Sequence, residues 1–133
     1  NLGWIWCQPE HPDINDMLRG NPVMHSSSML RRQALVRDNI RYNPGYTPAE
    51  DFDLCRQILA AGWKLANLPE VLFLYHYHGG NFSLKNKRAM RFADRKVKKD
   101  VLKLLEKKSF FYPYILVMLQ KLRLKFFLRN KHD

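Results

Sequence analysis

Three carboxylates fall within four residues, Glu50, Asp51 and Asp53, in the stretch TPAEDFDLCRQILAAGWKLANLPEV that runs from Thr47 to Val71. A carboxylate at the mouth of a cleft can take the proton from an attacking hydroxyl, which makes the cluster a candidate for general-base chemistry. The same residues also suit a helix start. Thr47 followed three positions later by Glu50 spells a capping box, Pro48 takes the favoured first helical position, and first-turn acids complement the helix dipole. A second candidate group is His76 and His78, which alternate along an apolar run and would share one face of a strand about 7 Å apart. They are equally compatible with one core and one exposed histidine, and a zinc pair would lack an obvious third ligand.

The elements that must position these residues are readable from periodicity and punctuation. Phe52, Cys55, Ile58 and Leu59 recur at helical spacing, and Gly62 supplies a stop, so a helix is expected from the Thr47 cap to about residue 61. Ile14 to Leu18 suits a short helix. NPVMHSSSMLRR reads as a strand running into a helix over RRQALVRDN, and IRYNPGYTP reads as a loop. WKLANLPEVLFLYHYH reads as two short strands broken at Pro69, the second apolar enough to be covered on both faces. From Ser83 the period changes. Met90, Ala93, Val97, Val101 and Leu104 form a helical stripe with Lys and Arg over most of the remaining circumference.

A chain of 133 residues suits one domain with a core of its own. Its charge is divided unevenly: residues 1–83 carry 7 Lys+Arg against 8 Asp+Glu, while residues 84–133 carry 16 against 4. This sets the expected division, 1–83 as the part bearing the candidate chemistry and 84–133 as a basic amphipathic helical tail. Clustered positive charge implies an anionic partner without choosing among phospholipid, nucleic acid and phosphorylated substrate. The apolar run Phe110–Leu119 is too short and its flanks too charged to span a bilayer. Cys7 and Cys55 have no metal-ligand spacing and read as free thiols in a reducing compartment. The chain opens at Asn1 with neither a start methionine nor a signal peptide, which suggests a fragment.

Taken in order, NPVMHSSSMLRR and AEDFDLCRQILAAGWKLANLPEVLFLYHYHGGNFS resemble the second half of a family-2 nucleotide-sugar glycosyltransferase of the GT-A fold. The shared pattern is Asn, His and small hydroxyl residues ending in Arg-Arg, a Glu-Asp pair opening a helix, a Gly, a strand with a terminal basic pair, and a Ser. It covers about residues 13 to 83. The resemblance implies an α/β architecture, the C-terminal half of a mixed sheet with flanking helices. It also implies an inverting transfer from a nucleotide-diphosphate sugar to a glycan or lipid-linked acceptor in bacterial cell-surface polysaccharide or lipopolysaccharide synthesis. Asp51 would be the base and Glu50 would orient it. His25, Ser27, Arg32 and His76 would contact substrate, His76 standing where relatives often have arginine, and His78 would sit near the metal or the leaving diphosphate. The Trp residues 4, 6 and 63 read better as core than as sugar platforms.

Such enzymes hold Mg²⁺ or Mn²⁺ on an Asp-x-Asp pair. Asp51-Phe52-Asp53 spells that string, but residues two apart on a helix point to different sides, and neither it nor Asp13–Asp16 follows an apolar strand. The metal pair and the donor-binding half are therefore expected upstream of Asn1, and the isolated chain is expected to be inactive. The expected location is the cytoplasm, with the tail lying in the inner membrane interface or packing on the domain. Two other classes stay open: a non-catalytic remnant of the fold, and a basic nucleic-acid module, against which stands the lack of zinc spacing or a recognition helix.

Overall fold

The computed structural model describes residues 7–76, 80 and 82–108. Four helices occur among them: α1 (Arg32–Arg37), α2 (Glu50–Ala60), α3 (Phe82–Lys85) and α4 (Lys87–Lys108), with single 3₁₀ turns at Asp16–Leu18, His25–Ser27 and Pro44–Tyr46. The chain divides into two compact units, Asn1–Val101 and Leu102–Asp133. Among the described residues no helix is long and apolar enough to cross a membrane.

Two helix ends build the core of the first unit by the same device. Gly62 sits at φ +85° after α2, its N–H donating to the Leu59 carbonyl (3.1 Å) and the Trp63 N–H to the Ile58 carbonyl (3.1 Å). Asn39, at φ +50°, closes α1 in the same way: its N–H reaches the Val36 carbonyl (3.3 Å), and the Ile40 N–H reaches the Leu35 carbonyl (2.9 Å). Both are Schellman closures, which turn the chain back and press the residue after the left-handed one against the last helical turn. The result is one cluster in which buried Ile40, Leu54 and Ile58 pack with Leu35, Trp63 and Leu65. Trp63 thus packs against the core while only partly buried, its indole N–H donating to Asp38 and the Arg37 guanidinium lying 4.9 Å from its ring.

The expected mixed sheet is contradicted: among the described residues there is no β-strand. Two physical reasons are visible. In the segment expected to enter α1 as a strand, the Ser27 hydroxyl donates to the Met24 carbonyl (3.1 Å) and the Ser28 hydroxyl to the His25 carbonyl (2.8 Å), and these local bonds stabilise a turn at the expense of extended backbone. The run at 71–76 has no ladder partner among the described residues, and Leu72 and Leu74 are 72 % and 90 % exposed, so the burial its composition implied is not supplied.

The expected capping box is also absent. Thr47 ends the preceding 3₁₀ turn, its N–H bonded to the Pro44 carbonyl, and α2 begins three residues later behind Ala49, with no side-chain cap. The helical stripe of the basic region is present, with Ala93, Val97 and Val101 buried, although Leu105 rather than Leu104 is the next buried position.

Candidate active site

α2 presents its two faces to different surroundings. Phe52, Leu54, Cys55 and Ile58 are buried, and so is Asp53, which is wholly inaccessible. Its carboxylate accepts from Arg56 Nε (2.7 Å) and from Gln57 Nε2 (2.7 Å). Gln57 also brackets the backbone of Arg41, donating to its carbonyl (2.8 Å) and accepting from its N–H (3.3 Å), which fixes the loop that carries Tyr42. Burial drives the Cys55 thiol up to about 12, with the Asp51 charge adding to the effect, so this sulfur stays protonated and inert.

Asp51 lies on the other side, half-buried, lining an open cleft of about 770 Å³. One carboxylate oxygen accepts from Asn21 Nδ2 (3.0 Å), the other from the Phe52 N–H (2.8 Å). Asn21 is itself locked. Its side-chain oxygen accepts from the Val23 N–H (3.3 Å) and its carbonyl from Gln8 Nε2 (3.3 Å), while Asn67 Nδ2 ties the adjacent Pro22 carbonyl (3.0 Å) and the Pro9 carbonyl (2.6 Å). Donors on both oxygens hold the carboxylate in one orientation, as a positioned base requires. A neighbouring acid, Asp94 of α4, is raised by burial, lowered by Lys98 and raised again by the Asp51 charge.

The cleft gathers other groups around this carboxylate. Tyr42 Oη and His25 Nε2 lie 3.2 Å apart with their rings edge to face, centroids 5.8 Å apart. Tyr42 is 52 % exposed and Tyr75 48 % exposed, so aromatic faces are open to a ligand. Glu50 also lines the cleft, and its Oε2 is buried with no hydrogen-bond partner among the described residues. A buried acceptor without a donor is costly, and a ligand hydroxyl would relieve it.

The residues singled out from sequence separate accordingly. Asp51, Glu50 and His25 come together in the cleft, along with Ser26. Ser27 is exposed and turned back onto Met24, Arg32 is exposed at the start of α1, and His76 is exposed beside the cleft-lining Tyr75. His78 lies outside the described residues. Asn21 stands in the resemblance pattern without a role there, and Tyr42, Tyr75 and Phe82 are not among the residues singled out; tertiary contacts alone bring Asn21 to Asp51 and the other three to the cleft.

No group of three or more His, Cys, Asp or Glu among the described residues could hold a metal ion. Asp51 and Asp53 point apart, one to the cleft and one into the interior with Arg56. Asp13 and Asp16 are occupied within their own turn, Asp13 accepting from the Asn15 and Asp16 N–H groups and Asp16 from the Asp13 N–H. The residues described here therefore do not fit a divalent-cation site.

The chain is similar to a Haemophilus influenzae protein named an uncharacterized glycosyltransferase, 33 % identical over 101 residues, which are 74 % of this chain and 31 % of the relative. It thus spans about a third of the length of the curated relative it matches, and the relationship is to glycosyltransferases as a class. No family model matches the chain, and no solved structure matches it.

Proposed function

We propose that this chain supplies the acceptor-side catalytic residues of an inverting, family-2-type glycosyltransferase. Asp51 is the general base. Its carboxylate takes the proton of the acceptor hydroxyl as that oxygen attacks the anomeric carbon of a nucleotide-diphosphate sugar; the new C–O bond forms on the face opposite the departing nucleoside diphosphate, whose bond to the sugar breaks with both electrons. One displacement inverts the anomeric configuration. The observation that carries this reading is the placement of Asp51, half-buried in an open cleft with Asn21 at 3.0 Å on one oxygen.

The neighbours suit a carbohydrate acceptor. Tyr42 and Tyr75 offer faces against which the C–H face of a sugar ring can pack. The Tyr42–His25 pair and Glu50 offer polar atoms for ring hydroxyls. A divalent cation, Mg²⁺ or Mn²⁺, would offset the charge of the leaving diphosphate, held by groups other than those described. The acceptor would be a bacterial surface glycan or its lipid-linked precursor, and the reaction would run in the cytoplasm, where nucleotide sugars are available. The relationship to a protein named a glycosyltransferase supports the class of reaction.

The test uses the native polypeptide carrying this sequence with a panel of UDP- and GDP-sugars and alkyl glycoside acceptors. Nucleoside diphosphate release and the anomeric proton coupling of the product are followed. Release accompanied by inverted configuration is expected; a retained configuration, or no release from any donor, overturns the reading.

A further inference from the structure

The basic helix α4 has an outward face whose composition is selective. Ala93, Val97 and Val101 are 3 %, 0 % and 0 % exposed, so the apolar stripe is consumed by the interior. The flanks are consumed as well. Tyr46 Oη donates to Asp100 (2.6 Å), Lys96 Nζ donates to the Gly45 carbonyl (2.6 Å) with its charge 4.5 Å from the Tyr46 ring, and Lys98 Nζ donates to the Arg19 carbonyl (3.2 Å). Opposite the buried stripe, Arg88, Phe92, Arg95 and Lys99 recur at spacings of four, three and four, which places them in one line about 17 Å long.

All four are exposed, with Arg91 exposed beside them, and Phe92 is 74 % accessible. Among the described residues none of the four cations takes part in a hydrogen bond or ion pair. The acids of this stretch are turned away: Asp100 is bonded to Tyr46, and Asp94 is half-buried. The line with Arg91 beside it therefore carries four positive charges, an exposed aromatic ring and no acid.

We propose that this face docks electrostatically on an anionic phospholipid surface, with Phe92 entering the headgroup layer. Charge complementarity supplies the attraction, and the ring distinguishes the occupant: a bilayer offers an apolar layer beneath its phosphates, whereas a nucleic-acid duplex offers a backbone and no such layer. The mode differs from that of a free amphipathic helix immersed along its apolar stripe, because here the stripe is already buried in the protein. Attachment is therefore salt-reversible. The inference is independent of the transfer chemistry, and its failure leaves Asp51 untouched.

The experiment is flotation of the 133-residue chain with vesicles of phosphatidylcholine alone or with 30 % phosphatidylglycerol, in 0.1 M and 0.5 M KCl. Binding is expected only with phosphatidylglycerol and only at the lower salt. Each surface cation contributes about fivefold to affinity, so the combined Arg88→Ser, Arg91→Ser, Arg95→Ser, Lys99→Ser variant should bind at least ~100-fold more weakly. A matched variant of the C-terminal segment, with Lys121, Arg123, Lys125 and Arg129 each changed to Ser, should lose less. Phe92→Trp should gain quenching by brominated lipid. Equal flotation on both vesicle types, a greater loss in the C-terminal variant, no added quenching, or preferential retention by duplex DNA in direct competition would each overturn the proposal.

Discussion

Asn21 Nδ2 donates to Asp51 Oδ2 at 3.0 Å across thirty residues of chain, and both partners are half-buried. The amide cannot turn away, because its own oxygen is held by the Val23 N–H. Asn21 is therefore a positioning residue for the proposed base. It holds the carboxylate toward the cleft.

Asn21→Ala should lower turnover by roughly 10- to 100-fold, the range expected for losing a hydrogen bond to a charged group. With the donor removed the carboxylate is no longer held in one orientation, so the loss should fall on kcat while KM for the acceptor stays nearly unchanged. A loss of folded protein with kcat per folded molecule unchanged would assign Asn21 to folding instead.

Asp53 sits two residues from Asp51 and should behave oppositely. It is wholly buried against Arg56 and Gln57, so Asp53→Ala leaves a largely buried guanidinium without its partner. Breaking a buried pair in this way costs about 3–5 kcal/mol. Urea unfolding of the chain should show that loss for Asp53→Ala and a change under about 1 kcal/mol for Asp51→Asn. Equal losses would mean that both acids serve the fold.

The helix closures give a third expectation. Nothing lies within 4 Å of a methyl group placed on Gly62, so Gly62→Ala carries only the backbone cost of φ +85°, about 1 kcal/mol. Asn39→Gly, at φ +50°, should leave stability unchanged or raise it slightly. Thermal unfolding of the two variants checks the signs.

Alkaline pH should destabilise the protein through two groups. Burial holds the Cys55 thiol up near 12, and the hydrogen bond to Asp100, helped by burial, holds the Tyr46 phenol near 12 as well. A group raised in the folded state contributes stability that is complete below its unfolded pKa and is lost as pH climbs through the folded one. Stability should thus be level below pH 9 and fall between 9 and 12. Cys55→Ala and Tyr46→Phe should each flatten that fall, as measured by denaturant midpoints across the range.

How much of this could be read in advance depended on the range of the interaction. The end of α2 at Gly62 and the stripe of Ala93, Val97 and Val101 are local or helical patterns, and they stand. Asp51 and Glu50 stood out by residue type, although Glu50 is not the cap its spacing with Thr47 implied. Asn21 belongs to the resemblance pattern, but its role is not legible there, because nothing local marks a partner thirty positions away. The strands failed for the same reason. A run such as Val71–Tyr75 states that burial is needed, while a ladder needs a second backbone that local composition does not name. In the serine run, short-range hydroxyl bonds outcompeted extension.

The most direct test of the central claim is Asp51→Asn in the native polypeptide, with transfer from nucleotide sugars and binding of the nucleoside diphosphate measured on the same preparation. The amide keeps the size and the cleft but cannot accept a proton. Transfer should fall by at least ~100-fold while nucleotide affinity stays within about twofold. Turnover retained within a few-fold of the parent would contradict the assignment of Asp51 as the base.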